Sequence, residues 1–394
     1  FMSTHIGIGF SNAPYPIEAF REAAIVAKNI TNQISCDLVL IVATAEYPYH
    51  LSCIGIVQKI LQPQKIIFTA SPGIILSGSI EMRGVGIFAL RSDEIRTNVL
   101  ARGALPPDDI HQSTVKFSRD LIAQAPMSKR VQFLGFFSGL QKNASPLALG
   151  FLEGFGRVFP IIGAFCGTRD SSVVALNDTL FPDGMVGVLI GGETVCASEA
   201  THGWQPIGRP HIVTEAEDNI IRQIDGLPAV SLYEKYFPDA LARTSSRSLG
   251  DIGLLYPLGI RLSGAKQYQL LSPVRVLPDQ SLLMQASVPP GAKIHLMLGD
   301  KDSCRNSAHK AALALKARLG GAVPRAILIL ESISRRKVLG RTAEREIPLI
   351  KEILGLTSPI FGMYTYGEIC ALDGAGGPSA LLPQSASIMM LAIM

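Results

Sequence analysis

The chain has 394 residues, 17% charged and 47% hydrophobic, with a formal net charge of +4. That length exceeds what one core usually fills, so two domains are expected, and the apolar balance favours buried sheets over a solvated helical rod. No uninterrupted apolar run reaches roughly 18 residues, which argues against a transmembrane helix, and the opening FMSTHIGIGFSN lacks the basic and apolar regions of a secretory signal.

The positive charge is thinly spread. Its densest spot, Ser334-Arg-Arg-Lys-Val338, reads as a solvated helix entrance, and no basic segment is interleaved with aromatics. Nucleic-acid binding therefore has no support. The six cysteines (Cys36, Cys53, Cys166, Cys196, Cys304 and Cys370) form no C-x-x-C pair and lie mostly in apolar runs. They read as buried free thiols of a reducing, cytoplasmic compartment.

In chain order, apolar strand-like runs alternate with amphipathic helices. The spacing predicts a strand over 37–46, a helix over 49–62, and strands over 65–74 and 83–91. The order recurs: strand 131–141, helix 145–158 with Ser145 as N-cap and Pro146 at N1, strands 160–168 and 184–192. A different segment follows, with strands over 207–213 and 220–224 around an Asp218-Asn219 turn, an Asp225-Gly226 turn, and a helix over 227–237. A third copy closes the chain: strand 325–333, helix 342–356 capped by Thr342, and strands 359–368 and 385–394. The expected fold is α/β, repeated β-α-β-β units forming mixed sheets in two halves, with helices on the faces.

Several stretches resemble the FIST family, a sensory domain of bacterial signalling proteins. They are Thr201-His-Gly-Trp-Gln-Pro-Ile-Gly208, Val213-Thr214, Asp225-Gly-Leu-Pro-Ala229, Leu255-Tyr-Pro-Leu-Gly259 and Gly362-Met-Tyr-Thr-Tyr-Gly-Glu-Ile369. The resemblance implies an N-terminal half over 1–225 and a C-terminal half over 226–394. It implies a small-ligand sensor, for an amino-acid-like metabolite or, as in nitric-oxide-sensing relatives, haem, with output to a partner such as a histidine kinase. Two departures stand out. Glu331-Ser-Ile-Ser-Arg-Arg336 keeps an arginine but lacks the cysteine often found there, and Leu382-Pro-Gln-Ser385 replaces an Asn-Gln-Thr.

The candidate ligand-binding residues are His202, Trp204, Arg169, Tyr364, Tyr366 and Glu368. His202 and Trp204 flank a glycine, where an imidazole beside an indole could meet a carboxylate or ligate haem iron. Tyr364, Tyr366 and Glu368 would share one face if the strand ran that far. An ionised Glu368 facing a cleft would suit a cationic ligand, or pair with Arg169. Packing of the tyrosines beneath a helix is the plainer alternative. Cys166, with His202 or His211 as base, is a candidate nucleophile for an acyl-transfer or hydrolytic enzyme, the runner-up to a non-catalytic sensor. The carboxylate pairs Asp108-Asp109 and Asp300-Asp302 read as solvated turns. No P-loop or dinucleotide fingerprint is present.

Overall fold

The computed structural model describes residues 3–30, 35–103, 105–127, 129–138, 143–168, 171–238, 249–262, 265, 267–355, 357–371 and 381–394. Three six-stranded sheets and one further sheet carry the chain. The apolar runs form the strands because a run buried on both faces has no polar alternation to expose. Leu38–Ala43 and Ile161–Phe165 are buried at every residue.

The three six-stranded sheets share one plan. The first is ordered Thr4–Ser11, Val85–Ser92, Leu38–Ala43, Lys65–Ala70, Val174–Leu176, Thr179–Leu180. The second is ordered Ile95–Arg102, Met185–Gly192, Arg130–Phe137, Ile161–Phe165, Glu368–Ala371, Leu381–Gln384. The third is ordered Cys196–His202, Ser387–Ile393, Ala326–Ser332, Ile360–Thr365, Ile74–Leu76, Ile80–Glu81. In each, strands three and four are the parallel pair and all other neighbours are antiparallel.

The last two strands of every sheet come from a different repeat. The first repeat lends its hairpin to the third sheet, the second to the first, and the third to the second. The exchange is cyclic, so the molecule has a pseudo-threefold axis. Leu40, Val42, Leu134, Phe136, Leu328 and Leu330, from all three sheets, meet in one core along it. Voids of about 20 and 10 Å³ remain in that core, room for no more than a water.

Helices cover the outer faces. Pro16–Ile30 and Leu51–Leu61 pack on the first sheet, Ile110–Ala123 and Ala144–Phe155 on the second, Lys301–Arg318 and Glu346–Leu354 on the third. The fourth sheet, from Trp204–Glu217 to Lys293–Gly299, is inserted between the strand Cys196–His202 and the helix Lys301–Arg318. The predicted turns hold there: Asp218, Asp225 and Gly226 all take positive φ.

Several local expectations change. The helix after the second parallel strand's predecessor starts at Ala144, and Asn143, not Ser145, is its N-cap, accepting from Ser145 N. The predicted helix over 342–356 is really a 3-10 turn over Gly340–Arg345 followed by a helix from Glu346, so Thr342 caps nothing there. Pro348 then falls in a first turn, where its missing N–H is harmless. Asp300 is no free turn residue: it caps Lys301–Arg318, accepting from Asp302 N and Ser303 N at 2.9 Å.

A polar ring where the parallel strands end

Strand register aligns the repeats residue by residue. Ala43, Phe137 and Glu331 occupy one place, paired with Ala70, Phe165 and Tyr364 across the parallel ladder. The same three are paired with Val85, Met185 and Ile388 across the antiparallel one. One residue further come Thr44, Ser138 and Ser332, and beside them Ser71, Cys166 and Thr365. All six are buried. Alternation turns them to the side of the axial core, which Cys166 joins. Each apolar run thus ends on a hydroxyl or thiol, and together these form a polar ring at the C-terminal ends of the strands.

The ring serves the backbone first. Gly84 N donates to Thr44 Oγ1 at 3.0 Å and Gly184 N to Ser138 Oγ at 2.7 Å. The matching donor in the third repeat, Ser387 N, instead donates to Glu368 Oε2 at 3.3 Å. Ser332 is released to cap the helix Ile333–Leu339, accepting from Ser334 N.

Glu368 is the odd member. Its hairpin position pairs with Ala164, as Ile74 pairs with Met363 and Val174 with Thr69. An isoleucine and a valine therefore stand where the third repeat has a carboxylate. Glu368 is fully buried. Thr365 Oγ1 donates to its Oε1, and Ser387 Oγ donates to its Oε2 at 2.7 Å. Burial pushes its pKa up to about 7 against the pull of those donors. The expectation of a fully ionised Glu368 is corrected, because burial leaves it part-protonated at neutral pH. Its partners are hydroxyls and an N–H rather than an arginine, and Arg169 lies outside the described residues.

The shared face predicted for Tyr364, Tyr366 and Glu368 does not exist. The strand stops at Thr365, and Glu368 opens a strand of another sheet. The stretch Phe361–Ile369 is a crossover. Gly367 is not held by positive φ; a Cβ there would displace the end of the Gln285 side chain. Tyr364 points to the outer face, among Trp204, Ile329 and Ile388, with Tyr366 packed against the same cluster.

Beneath that face lies a charge cluster that the sequence hid. Arg335, at the centre of the supposedly solvated basic spot, is completely buried. Its Nε donates to Glu331 Oε1 at 2.9 Å and its Nη2 to Glu346 Oε1 at 2.6 Å, with further bonds to Ser307 Oγ and Cys304 O. One guanidinium faces two buried carboxylates. Desolvation raises the pKa of both Glu331 and Glu346. The Tyr364 hydroxyl beside them has no hydrogen-bond partner among the described residues. In the other repeats Glu331 and Tyr364 are matched by Ala43 with Ala70 and by Phe137 with Phe165.

His202 ends its strand opposite Ser387, whose N–H and hydroxyl hold Glu368. Trp204 N donates to His202 Nδ1 at 3.1 Å, so Nε2 carries the proton and donates to Tyr268 O at 2.9 Å. Burial pushes the imidazole down to about 4, and it is neutral. Both nitrogens are committed, so His202 does not fit as an axial haem ligand in this arrangement. The Trp204 indole is buried, donates to Leu255 O at 2.9 Å and lies on Gly299. Cys166 does not fit a nucleophile: burial pushes its thiol up to about 12, and its Sγ donates to Ala164 O. His211 is bound instead to Asp225 at 2.7 Å.

The structure thus brings His202, Trp204, Tyr364, Tyr366 and Glu368 into one region of the third sheet and its borders. Sequence reasoning missed Thr44, Ser71, Ser138, Ser332, Thr365 and Ser387, although a small polar residue ending each apolar run was a visible signal.

Two family models match the chain, the FIST N domain over residues 37–227 and the FIST C domain over 229–371. The chain belongs to the FIST family. FIST domains are sensory domains. The motifs that carry the family likeness are largely framework in this FIST chain. Leu255 O receives the Trp204 indole, and Gly226 N donates to Thr214 Oγ1 at 3.0 Å. A comparison with curated proteins finds no match. Among solved structures the chain is similar to a cyanuric acid hydrolase, at 8% identity and a TM-score of 0.41, with 100% of each chain covered. It is also similar to the cyanuric acid hydrolase of A. caulinodans, at 8% identity and a TM-score of 0.39, with 100% of this chain and 99% of that one covered. A third is phosphoribosylformylglycinamidine synthase II from Thermotoga maritima, at 9% identity and a TM-score of 0.23, with 100% of this chain and 72% of that one covered. No helix among the described residues is long and apolar enough to cross a membrane.

Proposed function

We propose that this FIST chain is a non-catalytic sensor that takes a small, hydrogen-bond-donating ligand, such as an amino-acid-like metabolite, at the third-repeat side of the polar ring. Its signal passes to a partner protein such as a histidine kinase. The observation that carries the reading is Glu368, a buried carboxylate where the matched positions hold Ile74 and Val174. A buried carboxyl held only by hydroxyls and an N–H is costly, so a position that is apolar in the other two repeats suits a role for the acid there. The family supports sensing over turnover, and the raised Cys166 thiol, with no histidine among its partners in the described residues, speaks against the acyl-transfer alternative.

The test is a thermal-shift and calorimetric screen of amino acids and simple amines at pH 7, against wild type and Glu368→Gln. At least one compound is expected to bind wild type and to bind the variant tenfold or more weakly. A compound bound equally by both would remove Glu368 from the site. Titration with haem is expected to give no Soret shift that depends on His202, and loss of such a band in His202→Ala would reverse that assignment.

A further inference from the structure

We propose a second, independent ligand site at the opposite end of the second sheet, selective for a small anion with a flat apolar body. A cavity of about 350 Å³ lies there, lined by Ile122, Lys129, Arg130, Phe155 and Phe159. That volume falls in the range of small-molecule sites. Its floor is aromatic. The Phe155 and Phe159 rings stack at 5.5 Å and 21°, and Phe133 lies 4.7 Å from Phe155.

The chain is locally re-aimed to build this mouth. A β-bulge interrupts the pairing of Met185–Gly192 with Arg130–Phe137, so that Ile190 faces Gln132 and Gly191 faces Arg130. Strand alternation breaks there, and Arg130 lines the cavity with the helix residues Ile122 and Phe155.

The other repeats supply the control. Counted from Ala43, Phe137 and Glu331, Asp37 and Arg325 match Val131, and the bulge sets the neighbouring Arg130 in that ladder place opposite Gly191. Asp37 pairs with Arg91 at 3.3 Å, and Arg325 pairs with Glu94 at 2.7 Å. Arg130 and Lys129 make no ion pair among the described residues. Two repeats bring their own counter-charge, and the second leaves two cations over an aromatic floor. A carboxylate or sulfonate on a planar hydrocarbon satisfies both halves of that surface.

The site does not depend on the proposed sensing site, which lies at the other ends of the same strands. The probe is 2-naphthoate, followed by its own fluorescence anisotropy, with neutral 2-naphthalenemethanol as control. Saturable binding to one site is expected, with Arg130→Ala, Lys129→Ala and Phe159→Ala each weakening it about tenfold or more. Lys129→Ala, a change at an exposed side chain, carries the test if Arg130→Ala lowers the melting temperature. Failure of naphthoate to bind at millimolar concentration, equal binding of the neutral alcohol, or variants that bind like wild type would each overturn the proposal.

Discussion

At the scale of single residues, the third repeat holds most of the unusual chemistry, and its buried acids set a direction for pH dependence. Glu368 has a folded pKa near 7, above the ordinary glutamate value of about 4.3. The folded state keeps its proton where the unfolded chain has lost it. The contribution to stability is complete below about pH 4 and is lost as pH rises through about 7. Urea denaturation at a series of pH values should show that decline, and Glu368→Gln should flatten it by up to about 3 kcal/mol. A slope unchanged in the variant would mean that Glu368 does not hold a proton in the fold. Glu331 and Glu346 act in the same direction, since burial raises both. Arg335 holds them together. Arg335→Met should cost about 3–5 kcal/mol in urea melts at pH 8, because two carboxylates lose their buried cation. Cys166 gives a simpler readout: iodoacetamide at pH 8 should leave it unmodified in peptide maps until urea unfolds the protein. The buried Cys166 thiol was legible in its apolar run, but the buried charge cluster was not. Arg335 sits in a run of basic residues that looks like solvent-facing helix, and only the arrival of Glu346 from the next helix explains its burial.

At the scale of elements, apolar runs and turn residues were a reliable guide. The second, third and fourth strands of each six-stranded sheet, the covering helices Leu51–Leu61, Ala144–Phe155 and Glu346–Leu354, and the turns at Asp218 and Asp225 follow from them, whereas the helices Pro16–Ile30, Ile110–Ala123 and Lys301–Arg318 were not anticipated. The destination of a strand did not follow either. Ile74–Leu76 and Glu368–Ala371 are short, and nothing in their residues says that they leave their own sheet. The predicted face shared by Tyr364 and Glu368 failed for that reason: the chain changes sheets between them. Close approach also escapes sequence reading. The Gly203 between His202 and Trp204 matters because a Cβ there would lie 2.5 Å from Cys304 Cα. That neighbour is backbone of the helix Lys301–Arg318 and cannot swing aside. Gly203→Ala should cost about 1–3 kcal/mol, and should displace the His202 ring signals in NMR spectra as the strand end shifts. Unchanged histidine signals and melting temperature would show that the helix can retreat.

At the scale of the whole molecule, the repeats are not separable units. The halves expected over 1–225 and 226–394 share sheets in both directions: Ile74–Leu76 and Ile80–Glu81 complete the third sheet, and Glu368–Ala371 and Leu381–Gln384 complete the second. The chain 1–225 expressed alone should be aggregated or molten, with exposed sheet edges and strong binding of a hydrophobic dye, and should regain a sharp melting transition when co-expressed with 226–394. A monomeric, cooperatively melting 1–225 fragment would contradict this. The cyclic exchange also sets a timetable for synthesis. Ser77, in the lent hairpin, bonds to Ile360, a partner 283 positions later in the chain. At about 5–20 residues per second, the ribosome leaves that hairpin without its partner strand for roughly a quarter of a minute to a minute. During that interval the first repeat carries an apolar hairpin, buried at Ile74 and Ile75 in the finished fold, with no sheet to complete.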